Sequence, residues 1–255
     1  MREIPQQHNV QNHKLIISYD GTPFGGWQIQ PNAVTVQSLI EKAITTLWGE
    51  RYPLQGSGRT DAGVHAHGQV AHFQAPVKFK DLNELRRALN HNLPKEIRIL
   101  DCKKVPLTFH ARFSAQGKEY HYLIYNHEIM NPFLRLQAFH QAQPLQLLPM
   151  QEAIQHLLGT HDFASFASNP GYARATTVRT MQAVQIKKQG PLLKIRFRAN
   201  GFLYRMVRNL TGALIKVGRG RITPGDFKTI LEEKKRSAAP QTAPAHGLYL
   251  MKVFY

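Results

Sequence analysis

Two successive runs of strand, helix, strand, strand, helix, strand predict an α/β protein of the α+β kind, made of two ferredoxin-like βαββαβ halves with antiparallel sheets. Three observations carry that expectation: apolar residues that alternate in short runs, apolar stripes at helical spacing between them, and a recurrence of the same element order beyond residue 110. The recurrence is one of order only, since the two stretches share no repeated sequence.

Residues 14–19 (KLIISY) read as a buried strand that ends at the turn signal Asp20-Gly21. A helix follows, because Val36, Leu39, Ile40, Ala43, Ile44 and Leu47 repeat at helical spacing and Gly49 stops them. Residues 52–55 and 69–73 are two short strands joined by a turn at Asp61. Asp81 with Glu84 forms a capping-box start for a helix carrying Leu82, Leu85 and Leu89 and ended by Pro94. A strand over 97–103 closes the first half. In the second, residues 118–125 alternate as a strand, and 150–158 form a helix on Ile154, Leu157 and Leu158, stopped by Gly159. Residues 176–187 and 192–199 make a hairpin around Gln189-Gly190-Pro191, 202–217 a second helix, Thr223-Pro224 starts a short extra one, and 247–254 a last strand. The organisation is a loose polar arm over 1–12, one α/β half over 13–110 and another over 111–255. Residues 238–245, rich in Pro and Ala, connect the last two elements.

At 255 residues the chain is long enough to bury a proper core without disulfide or metal. Lys and Arg total 33 against 16 Asp and Glu, a formal charge of +17 that is spread through folded segments rather than set in a tail. Such an excess favours phosphate-rich partners and makes their binding salt-sensitive. Nucleic acid leads and anionic membrane competes, but no apolar stretch approaches a spanning helix and no strongly hydrophobic segment opens the chain. The single cysteine, Cys102, lies in an apolar strand and excludes an intrachain disulfide or a multi-cysteine zinc site. The cytosol is the expected compartment.

Three constellations could carry chemistry. In Gly58-Arg59-Thr60-Asp61-Ala62-Gly63-Val64-His65 one carboxylate sits in a glycine-flanked turn; taken alone, Asp61 is a turn residue, and Arg59 a solvated charge or a phosphate contact. Phe109-His110-Ala111-Arg112-Phe113-Ser114 runs into Lys118-Glu119-Tyr120-His121-Tyr122, where Tyr120, Tyr122 and Ile124 share a strand face, suited either to base stacking or to the core. Arg205 and Arg208 lie three apart on an apolar helix, a spacing that puts both on one wet face. Rival sites lack parts. His65, His67 and His72 have no carboxylate beyond Asp61 to complete a metal set, Gly56-Ser57-Gly58 is not followed by Gly-Lys-Ser/Thr, and Asp20 lacks the second aspartate of an aspartyl-phosphate loop.

Together these segments resemble the tRNA pseudouridine synthase A family. The likeness rests on Tyr19-Asp20-Gly21-Thr22-Pro23-Phe24-Gly25-Gly26-Trp27-Gln28, on residues 58–64, on 109–114 with Tyr120, on Met206-Val207-Arg208-Asn209 and on Gly247-Leu248-Tyr249-Leu250, in the family's order along nearly the whole chain. It implies that Asp61 is the nucleophile, that Tyr120 stacks on the target base, that Arg208 pairs with Asp61, that Arg59 helps to displace the base, and that Leu248 lines the pocket. It further implies a cofactor-free homodimer with no metal, an RNA cleft between the halves, and uridines at positions 38 to 40 of the tRNA anticodon stem-loop as substrate. The 161–175 loop and the N-terminal arm match no pattern.

The chemistry suits the residues. Pseudouridine formation exchanges a glycosidic C–N bond for a C–C bond without net redox change, and needs a carboxylate that is ionised at neutral pH in a pocket closed to water. An Asp titrates ordinarily near about 3.9, and a guanidinium beside it holds it lower still. A base in a duplex must also leave its stack, at roughly a few kcal/mol. Attack on the sugar carbon, attack on the uracil ring, and removal of a sugar proton with Tyr120 as a base all remain open at this level. A non-catalytic RNA-binding module and a metal-dependent RNA hydrolase are the readings from other classes.

Overall fold

The computed structural model describes residues 10–169, 171 and 175–255. Residues 1–9 of the expected arm and part of the 161–175 loop lie outside them; Val10, Gln11 and Asn12 already belong to the first strand. The chain divides into two compact units between Ala115 and Gln116, so residues 111–115 go with the first unit rather than the second.

The first unit runs β1 (Val10–Tyr19), α1 (Val36–Trp48), β2 (Gln55–Gly56), β3 (His65–Pro76), α2 (Leu82–His91) and β4 (Ile97–Val105). Its strands lie in the order β4-β1-β3-β2, each antiparallel to its neighbour, which is the ferredoxin-like arrangement. Thr35 and Ser38 close a reciprocal capping box on α1, and Gly49 ends the helix at φ 82°. The strand expected over 52–55 is reduced to Gln55–Gly56 for a local reason. Pro53 has no N–H to give a ladder, and α1 takes both backbone groups of Leu54: its N–H donates to Glu41 Oε1 at 3.1 Å, and its carbonyl accepts from Gln37 Nε2 at 2.9 Å. Leu15, Ile17, Ala71, Phe73, Ile97 and Ile99 on the sheet, with Ile40, Ile44, Leu85 and Leu89 from the helices, are all buried. A strap over 106–114 is fastened to the sheet at Asn12, whose Nδ2 donates to Pro106 O and Phe109 O, and at His72, whose Nδ1 accepts from Ala111 N at 3.1 Å.

The second unit runs β5 (Gly117–Asn126), β6 (Phe139–Gln141), α3 (Leu147–Gln155), β7 (Gly159–Asp162), β8 (Val178–Gln189), β9 (Leu192–Ala199), α4 (Met206–Gly218), α5 (Pro224–Glu233) and β10 (Leu248–Phe254). Its strands lie in the order β10-β5-β9-β8-β7, with β6 parallel to β5 at one end. Without the short β6 and β7 this is the arrangement of the first unit again. The β8–β9 hairpin turns at Gly190-Pro191, between the paired Gln189 and Leu192. The helix expected from 202 starts only at Met206, because Arg205 takes a left-handed backbone at φ 59° as its N-cap; Arg205 and Arg208 therefore do not share a helical face. Helix α3 begins earlier than expected, at Leu147, and Gly159 at φ 94° opens β7. Among the described residues no helix is long and apolar enough to cross a membrane.

His13 is 1% exposed, stacked on Phe73 with ring centroids 4.8 Å apart and edge-on to Trp48, and neither ring nitrogen has a hydrogen-bond partner among the described residues. Burial, reinforced by the nearby Lys104, lowers its pKa to about 4. Its folded value thus lies below the unfolded one of 6.5, so the stability it allows is fully present above pH 6.5 and is lost as pH falls toward 4. The shift corresponds to roughly 3 kcal/mol. In urea denaturation followed from pH 7 to 4, His13→Phe should lose less stability than the unaltered chain by about that amount.

Candidate active site

The β2–β3 connection carries Arg59 and Asp61, and buried polar groups hold it from below. Ser57 donates through N–H to Val70 O and through Oγ to Gln69 Oε1, both at 2.7 Å, while Gln69 Nε2 donates to Gly58 O at 3.0 Å. Ser57 and Gln69 are completely buried. Next to Asp61, Thr60 Oγ1 lies 2.8 Å from the Tyr19 hydroxyl in a buried hydrogen bond. Burial drives the Tyr19 phenol well above its ordinary pKa, against the opposing hydrogen bonds from Thr60 and Gln69, so it stays a neutral partner. Asp61 opens a β-turn closed by Val64 N–H donating to Asp61 O at 3.1 Å, with Gly63 at φ 76° in the third position.

The stretch after β1 forms the wall behind this loop. Trp27 N–H donates to Thr60 O at 3.1 Å, and a Cβ on Gly26 would stand 2.6 Å from Thr60 O and 3.0 Å from the Asp61 carbonyl carbon. Gly26 also sits at φ 96°, so two requirements exclude any side chain there. The wall is fixed in turn to the start of α1: Val36 N–H donates to Gly26 O and Gln37 N–H to Trp27 O. Asp20 accepts from the Thr22 amide and hydroxyl and lies 3.1 Å from His65 Nδ1. Burial pushes the Asp20 carboxyl up, but these partners outweigh it and its pKa ends below the ordinary value. The histidines are thus structural parts: His65 and His72 each meet a backbone N–H through Nδ1, at Gly21 and Ala111. Among the described residues no three metal-ligating side chains cluster. Arg59 is exposed and Asp61 half-buried, so the carboxylate is presented from a loop whose backbone is held on two sides.

In the second unit Tyr120, Tyr122 and Ile124 do share a face of β5, and all three are buried. Tyr122 and Ile124 are core. The Tyr122 hydroxyl donates to Pro244 O at 2.8 Å, and its ring rests on Gly247. Tyr120 retains 7% exposure, lies opposite Phe197 and Leu250, and meets the Phe202 ring edge-on at 5.0 Å. Leu248 begins β10 opposite Tyr122. Arg208, half-buried on α4, donates through Nε to Ala243 O at 2.8 Å, and Ala243 N–H donates back to Arg208 O at 3.1 Å. Its charge works against the burial that raises the Tyr122 phenol. The next residue, Asn209, is completely buried: Oδ1 accepts from Thr242 Oγ1 at 2.6 Å, and Nδ2 donates to Phe166 O at 2.7 Å. Arg208, Tyr120 and Leu248 thus come from a helix and two adjacent strands of one unit, and Arg59 and Asp61 from one loop of the other.

Four residues of this scaffold, Tyr19, Thr60, Gln69 and Asn209, were not singled out by sequence. Tyr19, Thr60 and Asn209 lie within the quoted motifs but were given no role there, and Asn209 also stands out as a polar side chain inside an apolar helix.

The fold and loop define a class: an α+β protein of two ferredoxin-like units that presents one carboxylate from a glycine-walled turn in a strongly basic chain. A family described as tRNA pseudouridine synthase matches residues 15–114 and 153–255. Proteins named tRNA pseudouridine synthase A are similar throughout: one from Methylacidiphilum infernorum is 46% identical over 96% of both chains, and one from Acetivibrio thermocellus is 45% identical over 96% of this chain and all of its own. One from Chlamydia pneumoniae is 46% identical over 94% of this chain and 91% of its own. The chain belongs to the tRNA pseudouridine synthase family, isomerases that convert uridine to pseudouridine.

Removing the Tyr19 hydroxyl leaves Thr60 Oγ1 without its buried partner, at about 1–3 kcal/mol. Tyr19→Phe should therefore lower the stability of the protein by about 1–3 kcal/mol, as read by urea denaturation. Gly26→Ala should be more severe, lowering the urea midpoint of the protein as well as its activity, because a backbone rather than a side chain must move.

Proposed function

We propose that this isomerase acts on uridines 38 to 40 of the tRNA anticodon stem-loop, with Asp61 as nucleophile and without a cofactor. The observation that carries the reading is the immobilised Asp61 turn, a backbone held by Thr60, Tyr19 and Gly26 where a flexible surface loop would have served a structural turn as well. In a chain of charge +17, an acid held toward solvent opposes the attraction of phosphate and needs a chemical reason.

The reaction breaks the bond between uracil N1 and the sugar C1′ and joins C1′ to C5; N1 gains a proton and C5 gives one up, so atoms and electrons balance with no redox partner. Asp61 as a carboxylate serves each of the three routes, whether it adds to C1′, adds to the uracil ring or withdraws a sugar proton. Arg208 supplies the positive charge that keeps such a carboxylate ionised. Tyr120, whose ring is braced by Phe202, supplies a face for the extruded base, worth roughly 1–3 kcal/mol. Arg59 is exposed on the same loop as Asp61 and suits a phosphate or the gap left by the displaced base, while Leu248 gives the pocket an apolar side.

Incubation with uridine-labelled tRNA in the presence of EDTA, followed by nucleoside analysis and strand sizing, separates the readings. Pseudouridine in intact tRNA supports this one, chelator-sensitive cleavage would support a hydrolase, and binding without either product a passive RNA module. Asp61→Asn should abolish turnover and leave tRNA affinity nearly unchanged; residual multiple turnover would sink the nucleophile assignment. Tyr120→Ala should weaken tRNA binding about tenfold, whereas Tyr120→Phe should bind as the unaltered enzyme does, with its kcat deciding whether the hydroxyl carries a proton.

A further inference from the structure

The sheet of the second unit has a buried face and an opposite one. Along β9, Leu193, Ile195, Phe197 and Ala199 are buried, while Lys194, Arg196 and Arg198 alternate with them and are half-exposed. Pairing arranges this opposite face in rows. Lys187 lies across from Lys194; Gln185, Arg196, His121 and Tyr249 make a second row; Arg198, Glu119 and Lys252 make a third. A bulge between Leu250 and Lys252 brings Lys252 onto this face.

Glu119 is the only acid in β5, β8, β9 and β10, and both its oxygens are used within the face. Oε2 accepts from Arg196 Nη2 at 2.7 Å and Oε1 lies 2.9 Å from His121 Nε2, so it does not neutralise the other cations. The Arg198 guanidinium stacks 4.1 Å from the Phe254 ring centroid, and its buried Nε has no hydrogen-bond partner among the described residues. At the hairpin end a pocket of about 440 Å³ is lined by Lys187, Lys188, Gln189, Leu192 and Lys194.

Cations at every second residue of a strand recur about 6–7 Å apart, comparable to successive phosphates on a nucleic-acid strand. A second copy of so basic a surface would be repelled, and an apolar partner would leave the cations desolvated. We propose that this face, through Lys187, Lys194 and Arg198, binds the phosphate backbone of the tRNA at a place separate from the base being isomerised. The inference rests on tRNA being the substrate but not on the role of Asp61.

The test is Lys187→Gln/Lys194→Gln/Arg198→Gln, with tRNA affinity measured against salt by filter binding and kcat and KM measured separately. The expected result is at least tenfold weaker binding, a salt slope reduced by about two to three, and unchanged kcat at saturating tRNA. A control with three exposed lysines of the first unit neutralised, Lys42→Gln/Lys80→Gln/Lys95→Gln, should lose little affinity, and the arginine version Lys187→Arg/Lys194→Arg should bind as the unaltered protein does. Equal losses in the control would overturn the proposal, as would an unchanged salt slope in the first variant. Loss of binding to phosphatidylserine vesicles with tRNA affinity intact would also overturn it, assigning the face to a membrane. Loss of kcat alone in Asp61→Asn bears on the nucleophile and leaves this surface standing.

Discussion

The contact of the Gly26 backbone with the backbone of Thr60 and Asp61 is the constraint around which the first unit is arranged. It admits no side chain, it requires a left-handed dihedral, and it is secured on the far side by the amides that open α1. The capped helix, the buried Tyr19 and Thr60 pair and the Ser57 and Gln69 bonds all converge on the same few peptide units. In the role proposed for Asp61, a carboxylate that must reach a substrate gains from such stiffness, since a misplacement of an ångström is enough to lose much of the rate.

The second unit solves a comparable problem with a different device. Its helix α4 grips the incoming 240–244 segment through both the backbone and the side chain of Arg208, and through the buried amide of Asn209 with Arg236 and Thr242. Tyr122 completes the seam from the sheet through Pro244. One arginine is thereby anchored through Nε. Both units thus use the ferredoxin-like strand order as a base and invest their buried polar groups in the connections that hold the proposed site residues.

How much of this could be read in the residues follows from the range of the interactions. Alternation and helical stripes are local, so the order of elements was legible, as was the turn character of Asp61. Strand β2 shrank because Glu41 and Gln37, over a dozen residues away in sequence, take the backbone of Leu54. Strands β6 and β7 are too short to show a period, and the left-handed Arg205 carries no residue-type signal for a helix start. The Asp61 loop was visible, but its walls were not: Tyr19 with Thr60 and Gly26 with Asp61 meet only after the sheet has formed.

In each unit the first strand is central and the last strand of the unit pairs beside it, β4 on β1 and β10 on β5. Synthesis from the N-terminus therefore treats the two units differently. In the first, β1 gains its β4 neighbour as soon as Val105 has emerged, while the rest is still being made. In the second, β5 waits for β10, Leu248–Phe254, more than a hundred residues further along, and keeps an unpaired edge until that strand has been made. The basic strands of that unit stay soluble during this interval for the reason that makes their face attractive to phosphate: like charges hold two nascent edges apart.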